Sequence, residues 1–241
     1  MEPTSEERWP LIPVKNAPVH FDPSNLVGWF SVDMTLVHNV MIQSLNTMWR
    51  NAPLVEPADE AAFAGYVLSA LELIHTHHHA EEDIVFPMLE HKLSMQHNIG
   101  QHDEFQDQMH QLEEYFKKVQ AKQEKYVVQK TQKLMEAFAE PLVSHLTEEI
   151  DTLAPEKMSV FTNEELDAIS KAVDEYLKNL GGFTTQLPYL LTAHDYAQAP
   201  EWPLLPGPVK WFVRNIGYFV NRSYWKFAPR TRYGEPQVYH A

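Results

Sequence analysis

Four amphipathic segments, each carrying one histidine on its apolar face, constrain this chain more than any other feature. The first runs from about Asn25 to Arg50. Its apolar residues Phe30, Met34, Val37, Met41, Leu45 and Met48 recur every three or four positions, the period of one helix face. His38 falls in the middle of that face. A second helix is expected from about Ala58 to Leu93 and passes through a histidine cluster. Pro87 should kink it or end it early, because proline has no N–H to donate. A third covers roughly Ile99–Ala121, with Phe105, Met109, Leu112 and Phe116 in line with His102. A fourth covers about Lys125–Leu153, with Met135, Phe138, Leu142 and Leu146 on one side, His145 among them, and a bend expected at Pro141. Short connections between four such helices predict an all-α, up-down-up-down four-helix bundle.

The flanks read differently. Residues 1–24 form an arm broken by Pro10, Pro13, Pro18 and Pro23. Residues 25–157 are the bundle. Residues 158–241 add a fifth helix and an aromatic-rich extension. The fifth helix is expected to start at Thr162, with Glu165 three residues on completing a capping box, and to stop at Leu180-Gly181-Gly182. In the extension, a helix from Pro208 to Lys226 should bury Phe212, Ile216 and Phe219 and show Lys210, Arg214, Arg222 and Lys226 to solvent. It reads first as a lid on the bundle, then as an aromatic wall of a substrate pocket. A third reading is a peripheral membrane contact through residues 208–227, which its basic and aromatic residues suit.

Composition narrows the chemistry. There is no cysteine, so disulfides, thiolate metal sites and cysteine nucleophiles are excluded, and a metal would have to be held by His, Asp or Glu. The net charge is −14 and is uneven: −18 over residues 1–200 and +4 over residues 201–241. An acidic surface argues against nucleic acid as a partner. No apolar run reaches the ~20 residues of a membrane span, and the first ten residues lack an apolar signal core, so a cytoplasmic protein is expected.

Two helices carry a His-x-x-x-Glu pair: His78 with Glu82, and His145 with Glu149. At that spacing an imidazole and a carboxylate share one helix face. Either pair alone is common on solvated helices, and a lone histidine such as His38 is more often a hydrogen-bonded core residue. Four inward histidines and two inward glutamates together point to a dinuclear site, whose imidazole and carboxylate donors suit iron or manganese and admit zinc.

The same segments resemble a known family. His78-His79-Ala-Glu81-Glu82-Asp-Ile-Val-Phe86-Pro87, Gln101-His102-Asp-Glu-Phe105 and His145-Leu-Thr-Glu-Glu149-Ile150 are similar to the helix motifs of hemerythrin-like (HHE) cation-binding proteins. His38-Asn-Val-Met-Ile-Gln-Ser-Leu-Asn46 resembles the first-helix segment of fungal members. The resemblance implies two iron ions held by His38, His78, Glu82, His102, His145 and Glu149, with Glu82 and Glu149 bridging, and a centre that meets O2. His77 and Glu81 share the same spacing one residue earlier, but Phe86-Pro87 sets the register on Glu82. Where hemerythrins have a second histidine one turn after His102, this chain has Gln106, which implies an open position at one iron and chemistry rather than reversible O2 carriage. On this reading His75 either supports a ligand from behind or stands in for one. His79, His97 and His110 point to solvent.

The expected function is a non-haem di-iron oxidoreductase using O2 or peroxide on a small apolar organic substrate. The alternatives are a sensor or store of iron or O2, and metal-independent chemistry in the bundle cavity.

Overall fold

The computed structural model describes residues 7–240, and residues 1–6 of the expected arm lie outside them, as does Ala241. Helix α1 spans Leu26–Asn51 and starts where the Asn25 side chain accepts a hydrogen bond from the Gly28 N–H. Helix α2 spans Glu60–Ala80. It continues through a π turn at Glu81–Val85 and a last helical turn at Phe86–Leu89. Helix α3 is Gln96–Gln120 and α4 is Val128–Thr152, which carries Pro141 inside it. Consecutive helices pack on one another and α4 closes the ring against α1, which gives the expected four-helix bundle. Among the described residues there is no strand, only an isolated bridge between Arg230 and Pro236.

Helix α5, Asn163–Leu180, begins at the Thr162 capping box and ends at Gly181, whose φ of +82° suits glycine. It packs on α1 and on the π turn of α2. The helix passes through Pro87 and ends two residues later at Leu89, short of the expected Leu93. The backbone takes a π turn just before Pro87, with the Phe86 N–H donating to the Glu81 carbonyl. A π turn inserts one extra residue, which shifts the register of everything upstream relative to Phe86.

The arm is tied to α1 by two asparagines. Asn46 accepts from the Trp9 N–H (3.0 Å) and donates to its carbonyl (2.7 Å). Asn39 does the same for Ile12, at 2.8 Å each way. Each side chain thus replaces the partner strand that an extended segment lacks.

The extension splits in two. Helix α6, Gln186–Ala193, and the turn at Trp225–Phe227 sink Tyr189, Trp225 and Phe227 into the same core as Phe63 and Tyr66, and Asn51 donates to the Phe227 carbonyl at 2.9 Å. Helix α7 runs as Gly207–Phe212, a π turn at Val213–Gly217, and Tyr218–Val220. Here the expected faces are corrected. Val213 and Gly217 are buried, whereas Phe212, Ile216 and Phe219 are exposed. Gly217 decides this: a Cβ there would lie 2.1 Å from the Phe183 carbonyl oxygen, so the backbone itself is the contact face. Arg214 is half-buried beside Tyr196, and Lys226 pairs with Asp59 instead of facing solvent freely.

Gly65 on α2 makes a similar close approach, since a Cβ there would sit 2.2 Å from the Tyr224 ring. Gly65→Ala should destabilise the protein by about 1–3 kcal/mol through overpacking. Gly100→Ala in α3, where nothing lies within 4 Å, should stabilise it by about 0.5–1 kcal/mol. Thermal unfolding of the two variants should shift in opposite directions.

Candidate metal centre

The bundle axis is polar at one level. His38 of α1, His77, His78 and Glu81 of α2, His102 of α3, and His145 and Glu149 of α4 meet there. Apart from His77, which is about 11% exposed, all are essentially buried. Their ligand atoms fall into two groups, His78, Glu81, His102 and His145 in one, and His38, His77, Glu81 and Glu149 in the other. Within each group all atoms lie within 4.8 Å of one another.

Three of the imidazoles have an assignable tautomer. His38 Nδ1 donates to the Leu146 carbonyl (2.8 Å), His102 Nδ1 to Glu82 Oε1 (2.6 Å), and His145 Nδ1 to Gln101 Oε1 (3.2 Å). Each Nδ1 thus carries the hydrogen and each Nε2 presents a lone pair inward. His102 Nε2 lies 3.0 Å from His145 Nε2, so two lone pairs face each other. His38 Nε2 lies 3.1 Å from His77 Nε2. The His78 ring sits 4.4 Å from that of His102, and its buried Nε2 has no hydrogen-bond partner.

The carboxylates span the two groups. Glu81 turns Oε1 to His77 Nε2 (2.7 Å) and Oε2 to His102 Nε2 (3.6 Å). Glu149 Oε2 lies 3.5 Å from His38 Nε2 and 3.6 Å from His145 Nε2. None of the four carboxyl oxygens of Glu81 and Glu149 has hydrogen-bond geometry to any partner, even at 2.7 Å. Burial drives both carboxyls well above the usual carboxylate range, each raised further by a neighbouring carboxylate. Burial also pushes His77 down to about 3 and His145 down to about 2, and lowers His38 and His78. The site is therefore a set of neutral imidazoles around two carboxyl groups whose ionised form is disfavoured, with no Lys or Arg among them. Buried polar groups are ordinarily paired, and these donors fit metal ions: divalent charge would supply what the carboxylates lack, and the inward lone pairs would bind it.

Of the residues expected from sequence, His38, His78, His102, His145 and Glu149 are brought together. Glu82 is not. It stands about a third exposed beside the His102 ring, and Glu81 takes the central position. The cause is the π turn: counting back from Phe86 by an α-helical step of four reaches Glu82, while the observed bond reaches back five residues to Glu81. His77, passed over for the same reason, joins His38. Gln106 is half-buried and belongs to neither group. The third imidazole beside His102 and His145 comes instead from α2 as His78, so that group is not the depleted one. His75 is outside both groups, 3.5 Å from Glu113. His79, His97 and His110 are exposed, as expected.

Residues 33–156 match the family described as Hemerythrin HHE cation binding domain. The chain belongs to that family. Similarity reaches beyond the bundle: the chain is 25% identical over 240 residues to the "Dimeric xanthone biosynthesis cluster protein R11" of Cryptosporiopsis sp. (strain 8999), over 95% of this chain and 89% of the relative. No solved structure matches.

Two outcomes follow for purified protein. Glu81→Gln should lose most bound metal, whereas Glu82→Gln should keep it with about 10–100-fold weaker affinity, the usual effect of removing a group that orients a ligand. Chelator competition reads both. In the metal-free protein, raised carboxyls mean that the fold keeps protons which the unfolded chain releases above about pH 4.5, so their contribution to stability falls as pH rises. The lowered imidazoles act oppositely: the unfolded chain protonates them below about pH 6.5, so their contribution falls as pH drops. Metal must displace the carboxyl protons. The metal-dependent gain in Tm should therefore grow from about pH 5 to about pH 8, and a pH-independent gain would contradict the assignment.

Proposed function

We propose that this protein holds two iron ions, one in each His/Glu group, with Glu81 and Glu149 between them, and works as a non-haem oxidoreductase. Its reactants would be O2 or peroxide and a small apolar organic molecule. The carrying observation is the unequal donor count. Three imidazoles (His78, His102, His145) serve one position and two (His38, His77) the other, with Glu81 and Glu149 near both. His38 and His77 with Glu81 and Glu149 would hold one ion through fewer imidazoles than the other group offers, and a metal with fewer protein donors would supply O2 chemistry rather than closed storage. Bound iron would supply one-electron and O2 chemistry. The chain's own contribution is to orient the rings, through Leu146 O on His38, Glu82 on His102 and Gln101 on His145, and to exclude bulk water by burial.

Two further observations bear on the substrate. The relative's name places it in a biosynthesis cluster for a dimeric xanthone, an aromatic organic product. A groove of about 610 Å³ lies where the extension meets α2 and α3, and Leu68, His75, Thr76, Tyr176 and Tyr224 are among the residues that line it. Its size suits a small organic molecule.

A sensing or storage role without turnover is the second reading, and one observation favours it: neither that groove nor the smaller cavity beside His194 is lined by any metal-donor residue. Oxygen consumption by iron-loaded protein, with a reductant and a panel of aromatic substrates, separates the two. The oxidoreductase reading expects substrate-dependent O2 uptake that falls at least about 100-fold in His77→Ala. Reversible spectral change on O2 exposure without net uptake would support the sensor. Turnover that persists after complete metal removal would assign the chemistry to the groove.

A further inference from the structure

Helix α7 turns its apolar side outward. Trp211, Phe212, Ile216, Phe219 and Val220 are between 38% and 63% exposed, and Phe183 extends the stripe by meeting Phe212 edge-on with ring centroids 6.2 Å apart. Five large hydrophobic side chains within ten residues, all on the side away from buried Val213 and Gly217, form a contiguous apolar surface of the kind that marks an interaction site.

The charge around the stripe identifies its occupant. Residues 201–241 carry +4 on a protein whose remaining residues carry −18. Lys226 and Arg230 spend their charge on Asp59 and Asp195. Arg222 and Arg232 have no carboxylate partner among the described residues, whereas Lys210 and Arg214 are half-buried beside Glu201 and Tyr196. Arg232 lies over the Phe219 ring, 4.7 Å from its centroid, and donates to the Arg214 carbonyl, which sets a cation at the margin of the stripe. A second copy docking through this face would bring two such basic margins together. An anionic surface complements them, and it repels the acidic body of the protein so that only this face can approach. Helices with aromatic residues outward and Lys or Arg beside them settle at the headgroup level of a bilayer.

We propose that the α7 face, Trp211 to Val220 with its unpaired basic rim, seats the protein on an anionic lipid surface. No helix among the described residues is long and apolar enough to cross a membrane, so the contact is peripheral. It would hold the groove between the extension and the bundle near the bilayer, since Asn221 and Tyr224, just after α7, line that groove.

The test is co-sedimentation of the full chain with vesicles of phosphatidylcholine alone and of phosphatidylcholine with phosphatidylserine, alongside sedimentation velocity without lipid. The expected result is binding to the anionic vesicles and little to the neutral ones. Phe219→Ser combined with Val220→Ser should lower partitioning about tenfold, and Arg222→Gln about fivefold. Both variants change exposed side chains, so unfolding temperature and metal content should match the parent protein. Three results would overturn the proposal: no sedimentation with anionic vesicles, equal partitioning of parent and variants, or self-association in solution that the Phe219/Val220 variant abolishes. The last would assign the face to a second copy of the chain.

Discussion

Two carboxylates buried among neutral imidazoles are the interaction on which the rest of this structure depends. Glu81 and Glu149 sit at the bundle centre with no lysine or arginine to offset them, and their oxygens find no hydrogen bond. A buried charge left unpaired is costly enough that it shifts its proton affinity or acquires a counter-ion. The surrounding residues are arranged for a counter-ion. The Nδ1 atoms of His38, His102 and His145 are occupied outward, which leaves their Nε2 lone pairs crowded inward at distances that suit a shared cation better than each other.

The scaffold follows from keeping that centre in place. Each of the four long helices contributes at least one donor, so any slip of one helix removes a ligand. The outward partners come from a backbone carbonyl, a glutamate and a glutamine on neighbouring positions, which makes ring orientation a property of the bundle rather than of single side chains. Below the centre, Phe63, Phe116, Tyr66 and Phe227 fill the core, and the extension closes it with Trp225 and Tyr189. The arm is held by Asn39 and Asn46 on α1, the helix that also carries His38 into the centre.

Much of this was legible in the sequence because it depends on local periodicity. The four helices, the Thr162 capping box and the stop at Gly181 follow from residue spacing and capping chemistry. So does the convergence of His38, His102, His145 and Glu149, since each sits in phase with the apolar face of its own helix. What escaped depends on backbone geometry that spacing does not encode. The π turn inserts one residue between Glu81 and Phe86, so an α-helical count selects Glu82 and passes over His77. With both His77 and His78 inward, α2 supplies the imidazole that Gln106 on α3 cannot. The outer face of α7 was misassigned for a comparable reason. Phe212, Ile216 and Phe219 have the spacing of a buried stripe, but Gly217 fits its backbone against the Phe183 carbonyl and turns that stripe to solvent. In both places a π turn shifts the register that residue spacing predicts.

The most direct test of a two-metal centre is an anomalous-scattering map at the iron edge from crystals of iron-loaded protein. Two peaks per chain are expected, one among His78, His102 and His145 and the other between His38 and His77, with Glu81 and Glu149 reaching both and Glu82 on His102 alone. A single peak, a centre bridged by Glu82, or a protein that stays folded and takes up no iron would contradict this assignment.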